Sequence, residues 1–171
     1  MKISRHISHD SHPAILILRV ATIFASIMCV VAFAWMFKAH DEMYTDGTSA
    51  FLTLFPLIFT AYALFWSLLI LAIRIFSNAF IHPAIYIIFD LIAFGTVLGW
   101  CATKLELVAS YGSQYSCNHG PPGSCDTVAR VLKGVGYFGC VVGILDSVLY
   151  LVLLVWACWV CSKGVRGVQK G

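Results

Sequence analysis

The sequence predicts an all-α integral membrane protein, a four-transmembrane-helix antiparallel bundle with both termini cytosolic. Three observations carry this reading. The chain of 171 residues is 60% hydrophobic and 11% charged, whereas a soluble domain averages about 45–50% apolar and about 25% charged. Four apolar runs, 14–37, 51–73, 84–103 and 134–160, are each near or above the roughly 20 residues that cross a bilayer core as helix. The basic residues then orient the bundle. Lys2, Arg5, Arg19, Arg74, Lys163, Arg166 and Lys170 fall on the face with the termini. Lys38, Lys104, Arg130 and Lys133 fall on the other, diluted by Asp41, Glu42, Asp46, Glu106 and Asp126. Basic residues concentrate on the cytosolic side. The chain divides into a cytosolic tail (1–12), a four-helix domain (13–161) and a second cytosolic tail (162–171).

Each element has a local reason. Ser11 can cap the first helix and Pro13 suits its first turn. The first run is too long for a signal-peptide core and lacks a small-x-small cleavage site. A brief polar loop, "KAHDEMYTDGTSA", leads to the second helix, where Pro56 predicts a bend one turn in rather than a break. The connection "SNAFIHP" is short enough to make helices two and three a tight antiparallel hairpin, with Pro83 starting helix three. The longest loop, about 109–126, ends at Asp126, which can cap the helix leading through "TVARVLKGVGYF" into span four. Gly95-x-x-x-Gly99 in span three and Gly139-x-x-x-Gly143 in span four have the spacing that lets two backbones approach closely. The contact is expected within one bundle or between protomers; glycine is also common in membrane helices by chance.

Three acidic or basic residues lie inside the apolar runs and need partners. Arg19 sits six residues after Pro13, and Asp90 seven residues after Pro83. At about 1.5 Å rise per residue both lie at one depth, roughly 9–10 Å from the same face. A charge in hydrocarbon is usually paired, so Arg19 is expected to neutralise Asp90. The alternative has Arg19 snorkelling to headgroups and Asp90 protonated or bonded to a hydroxyl. Asp146, beside Ser147 in mid-span four, has no cation at its depth. A polar cavity, a neutral carboxyl or a bond to a neighbouring helix would each satisfy it, and it is the feature that hints at proton or cation handling.

The seven cysteines divide by position. Cys117 and Cys125 lie in the polar loop "YSCNHGPPGSC", whose Gly-Pro turn can bring them into bridging range on an oxidising face. A disulfide is expected there, with two free thiols as the alternative. Cys158 and Cys161, next to Lys163 at the cytosolic membrane edge, are candidates for palmitoylation. Their C-x-x-C form also admits a redox or metal role, or none. A quinone-coupled thiol oxidase needs two exchanging pairs, and here the pairs are separated by a core of about 30 Å. His6, His9 and His12 are spaced for weak metal binding on a helix, or for nothing on a loose tail. The five tryptophans, Trp35, Trp66, Trp100, Trp156 and Trp159, read as an interfacial belt. There is no nucleic-acid footprint, Ser/His/Asp set, H-E-x-x-H or P-loop in the chain. No catalytic residue, cofactor or metal is therefore assigned.

The pattern resembles small fungal proteins with a MARVEL domain. The matching features are four spans with cytosolic ends, a basic residue early in span one ("ILRVATIF"), and an aspartate followed by a tryptophan in span three ("IFDLIAFGTVLGW"). The loop "CNHGPPGSCDTVARVLKGVGYF" before span four also fits. The resemblance covers about 13–161. It implies a non-catalytic role in organising membrane microdomains, vesicle trafficking or membrane apposition. The loop and cysteine signatures of claudins and tetraspanins are missing. The sequence thus leads to a scaffold that meets lipids, further copies of itself or other membrane proteins in the plasma membrane or secretory pathway. A proton- or ion-conducting oligomer using Asp90 and Asp146, or an accessory subunit of a larger complex, is the alternative.

Overall fold

The computed structural model describes residues 13–43, 47–76, 83–110 and 124–168, and side chains for 13–39, 53–76, 84–106 and 130–162. The described residues form four helices: α1 (Pro13–Met43), α2 (Gly47–Phe76), α3 (Pro83–Ser110) and α4 (Ser124–Val168). All four are long and apolar enough to cross a membrane. Each packs against the next in sequence, and α4 returns to α1, so the helices form a closed ring.

The elements outrun the apolar runs at their ends. The helical segments extend α1 to Met43 and start α2 at Gly47, so most of the segment expected as a loop, 38–50, is helical. Hydropathy ends a span where the chain becomes polar, but backbone hydrogen bonding continues past that point. For the same reason α4 starts at Ser124, two residues before Asp126, so Asp126 lies in the first turn instead of capping it. Its C-terminal end continues to Val168, into the segment read as a tail. Helix α2 is continuous through Pro56. The Thr60 hydroxyl donates back to the carbonyls of Pro56 (2.7 Å) and Leu57 (3.1 Å) in the turn that follows the proline.

One face of each helix is buried with a seven-residue rhythm. In α1 the buried positions include Ile15, Arg19, Thr22, Ser26, Cys29, Phe33 and Met36, with Ile23 and Ala32 beside them; in α2 they include Thr53, Pro56, Thr60, Ala63, Ser67 and Ile70. Alternating steps of four and three keep a seam facing its neighbours, as in left-handed helix packing. The seams are unusually polar, whereas the outer faces are apolar: Phe24 is 66% exposed, Phe65 65% and Leu145 59%. Water is a poor solvent for so continuous an apolar surface. The core combines small residues with a few large ones: Phe33, Tyr86 and Tyr150 are fully buried, among Ala63, Ala93 and Ala157.

The two glycine pairs behave differently. A Cβ on Gly139 would stand 3.2 Å from the Phe33 ring, and one on Gly143 would overlap the Cys101 thiol. These two glycines admit α1 and α3 against α4. Gly95 and Gly99 have nothing within 4 Å of a Cβ position. This pair makes no close contact within the bundle and lies on an open face of α3, which leaves the contact between protomers that the spacing also admits.

Gly143→Ala is expected to lower stability by about 1–3 kcal/mol through overpacking, and adding Cys101→Ala should recover part of the loss by removing the overlapping sulfur. Gly95→Ala should be neutral or stabilising by up to about 1 kcal/mol, the ordinary helix preference for alanine. Thermal unfolding in mild detergent distinguishes the two.

Candidate functional site: a cross-braced polar interior

The candidate site is built where inward polar residues of all four helices meet. Asp90 is 1% exposed and Arg19 3%. The Arg19 guanidinium donates from both terminal nitrogens, Nη1 to Oδ1 at 2.8 Å and Nη2 to Oδ2 at 2.6 Å. This bidentate geometry is the strongest form of an arginine–carboxylate pair. Trp66 of α2 adds a third bond, Nε1–H to Asp90 Oδ1 at 2.9 Å, and its ring stacks on Phe89 at 4.4 Å. The guanidinium also lies over the Tyr86 ring, 5.7 Å from its centroid. The four side chains occupy one level because α1 and α3 start at Pro13 and Pro83 and run in the same direction.

One turn further along α1, Thr22 donates to the carbonyl of Arg19 (2.8 Å) and lies 3.3 Å from Ser67 Oγ of α2. Ser67 in turn lies 2.7 Å from the Tyr150 hydroxyl of α4. Tyr150 donates to the Ala63 carbonyl at 2.6 Å. A ring of four helices has two diagonals, and both are closed here by polar groups. Arg19–Asp90 joins α1 to α3, and Tyr150–Ser67 with Tyr150–Ala63 joins α4 to α2.

Asp146 is fully buried in the next layer. Ser26 of α1 donates to its Oδ2 at 2.7 Å; its Oδ1 has no hydrogen-bond partner. Of the arrangements the sequence leaves open, the structure places a bond to a neighbouring helix at Oδ2. Farther still from the Arg19–Asp90 level, Cys29, Cys101 and Cys140 are buried as free thiols, with Cys29 bonded to the Gly139 carbonyl at 3.6 Å. Lys104 is 7% exposed and donates to Thr53 Oγ1 at 2.9 Å.

One expectation from the sequence changes here. Trp66 does not join an interfacial belt; it is buried and bonded to Asp90, because its indole N–H is the donor that reaches the carboxylate. Lys104, counted with the basic residues of the face opposite the termini, lies near that end of α3 with its ammonium turned inward to Thr53. Trp100 stacks on Phe55 at 4.5 Å, whereas Trp35 and Trp159 are exposed. Cys158 is exposed and Cys161 half-buried, both free. The expected Cys117–Cys125 disulfide lies outside the described residues: Cys117 is not among them, and of Cys125 only its place in α4 is described. The tail histidines His6, His9 and His12 also lie outside them. Among the described residues no group of three metal-ligating side chains converges.

No protein-family model, curated protein or solved structure matches the chain.

Asp90→Asn leaves the Arg19 charge without a counter-charge and should cost about 3–5 kcal/mol. Trp66→Phe removes only one interhelical hydrogen bond and should cost about 0.6–1.7 kcal/mol. Unfolding midpoints of the two variants in one lipid or detergent check this order; equal losses would assign the stability to the indole rather than to the ion pair.

Proposed function

We propose that this chain is a non-enzymatic membrane-organising protein that acts by lateral contact with lipids and with other membrane proteins. Its four helices lie in a plasma or secretory-pathway membrane with both termini cytosolic. The observation that carries this reading is the division of labour between interior and surface. The Asp90 carboxylate receives three donors, from Arg19 and Trp66. The hydroxyl protons of Thr22 and Tyr150 are engaged by backbone carbonyls, so that row of hydroxyls has no free proton to pass along. Among the described residues, what is left for other molecules is the apolar outer surface and the open Gly95–Gly99 face of α3. The resemblance to MARVEL-domain proteins supports the same class of role.

Lateral assembly follows from the open glycine face, because small residues let another helix approach closely in lipid. We place a homo-oligomer contact there. Cys158, exposed at the end of the fourth span, is the better placed acylation target of the Cys158/Cys161 pair. The conducting alternative draws on one observation, the unpartnered Oδ1 of Asp146; an accessory-subunit role would use the same surfaces as the scaffold.

The mass of the particle extracted in native lipid should exceed one chain. Gly95→Leu with Gly99→Leu should reduce it to a single chain without lowering the unfolding temperature. Vesicles carrying the purified protein should pass protons no faster than empty vesicles. A monomeric native particle together with proton flux abolished by Asp146→Asn would replace the scaffold reading with the conducting one. Cys158→Ser should lower acyl labelling in cells more than Cys161→Ser, and absence of label from the native protein would remove lipidation.

A further inference from the structure

We propose that Asp146 is a proton-binding site built into the centre of the bundle, with the bound proton on Oδ1. Three features of the structure carry this. The residue is 0% exposed. Its Oδ2 accepts one hydrogen bond, from the neutral Ser26 hydroxyl at 2.7 Å, and its Oδ1 accepts none. Among the described residues the two buried cations are engaged elsewhere: Arg19 is committed to Asp90 through both oxygens, and Lys104 to Thr53 near the far end of α3.

An ionised carboxylate in such a place would keep one oxygen with neither a donor nor a counter-charge. Burying an unpaired charge costs far more than burying an unpaired hydroxyl, and a carboxyl in that position takes up a proton. The contrast with Asp90 is internal to the molecule. Both acids are buried, but Asp90 collects three donors, two of them from a cation, while Asp146 collects a single neutral one. Other titratable groups do not alter the balance. Cys29 of α1, Cys101 of α3 and Tyr150 of α4 lie close enough to Asp146 to feel its charge. Each is neutral or negative in either protonation state, so none can serve as a counter-ion. From α2, among the described residues, the Ser67 hydroxyl and the Ala63 carbonyl bond Tyr150, one helical turn along α4 from Asp146, and neither carries a charge.

The chemistry involves no exchange of electrons. A proton adds to Oδ1 to give the neutral acid, and Ser26 Oγ–H continues to donate to Oδ2. The α1–α4 contact thus closes with an uncharged carboxyl. The site is independent of the scaffold reading, since a protein that only organises lipid can carry a fixed proton.

Infrared spectroscopy of the protein in phosphatidylcholine vesicles at neutral pH tests the assignment. The expected result is a single carboxylic-acid C=O band, above the carboxylate region, which disappears in Asp146→Asn. Ser26→Ala should keep the band but shift it to higher frequency, because the Oδ2 carbonyl loses its donor. Asp90 contributes no such band, being ionised in its pair. Lack of an acid C=O band in the native protein, as an ionised carboxylate or one holding an alkali cation would give, overturns the proposal. So does a band that survives Asp146→Asn. If Asp146→Asn does not fold, Ser26→Ala decides: an unmoved band places the protonated acid elsewhere.

Discussion

The interaction on which the rest of the structure depends is the bidentate bond between Arg19 and Asp90. A ring of four antiparallel helices holds its neighbours by packing, but its diagonals do not pack backbone to backbone. Arg19 spans one diagonal with two bonds of 2.8 and 2.6 Å, and Trp66 ties the same carboxylate to α2. Three helices are thereby fixed at one level. Tyr150 spans the other diagonal one turn away, reaching Ser67 and the Ala63 carbonyl. In a hydrocarbon solvent apolar burial gives little reason for helices to associate, so packing and polar contacts must specify the arrangement. The ion pair is also the contact least able to slip: moving α1 by one residue would separate the two charges by about 1.5 Å along the axis.

The same logic explains the composition of the seams. Thr22, Ser26, Thr60 and Ser67 are small enough to let backbones approach, and each spends its hydroxyl on a carbonyl or on an inward polar group. Gly139 and Gly143 serve a purely steric end, making room for the Phe33 ring and the Cys101 thiol. Bulk is moved outward instead: Phe24, Phe65 and Leu145 occupy the surface. The distribution suits a bundle whose solvent is apolar and whose interior must be specified by a few directional contacts. In the proposed scaffold, function belongs to that surface and architecture to the interior.

Much of this is legible in the amino-acid sequence. Four long apolar runs identify the four helices, and the near-equal distances of Arg19 from Pro13 and of Asp90 from Pro83 place the two charges at one depth. Other features depend on which helix faces which, and linear sequence does not carry that. Ser26 becomes a partner for Asp146 only once α1 is known to adjoin α4. Trp66 misleads because an amphipathic ring suits a membrane interface as well as a buried carboxylate. The inward bond of Lys104 to Thr53 is not legible either, because a long side chain near the end of a run can reach outward as easily as inward. The two Gly-x-x-x-Gly motifs are identical as patterns, and only their neighbours separate the buried pair from the open one. The seven-residue seam is present in the polar minority, at Arg19, Thr22 and Ser26. It is hidden from hydropathy because the residues around it are apolar on every face.

The central claim is that Arg19 and Asp90 act as one unit that holds the bundle together. A double-mutant cycle on unfolding free energy in a lipid bilayer, using Arg19→Leu, Asp90→Leu and the two combined, tests it most directly. Each single change is predicted to destabilise strongly, and the combined variant to be more stable than either, because apolar residues then replace the pair with no charge left behind. Strictly additive losses, with the combined variant the least stable of the three, would contradict the claim and make Asp90 a site that acts independently of Arg19.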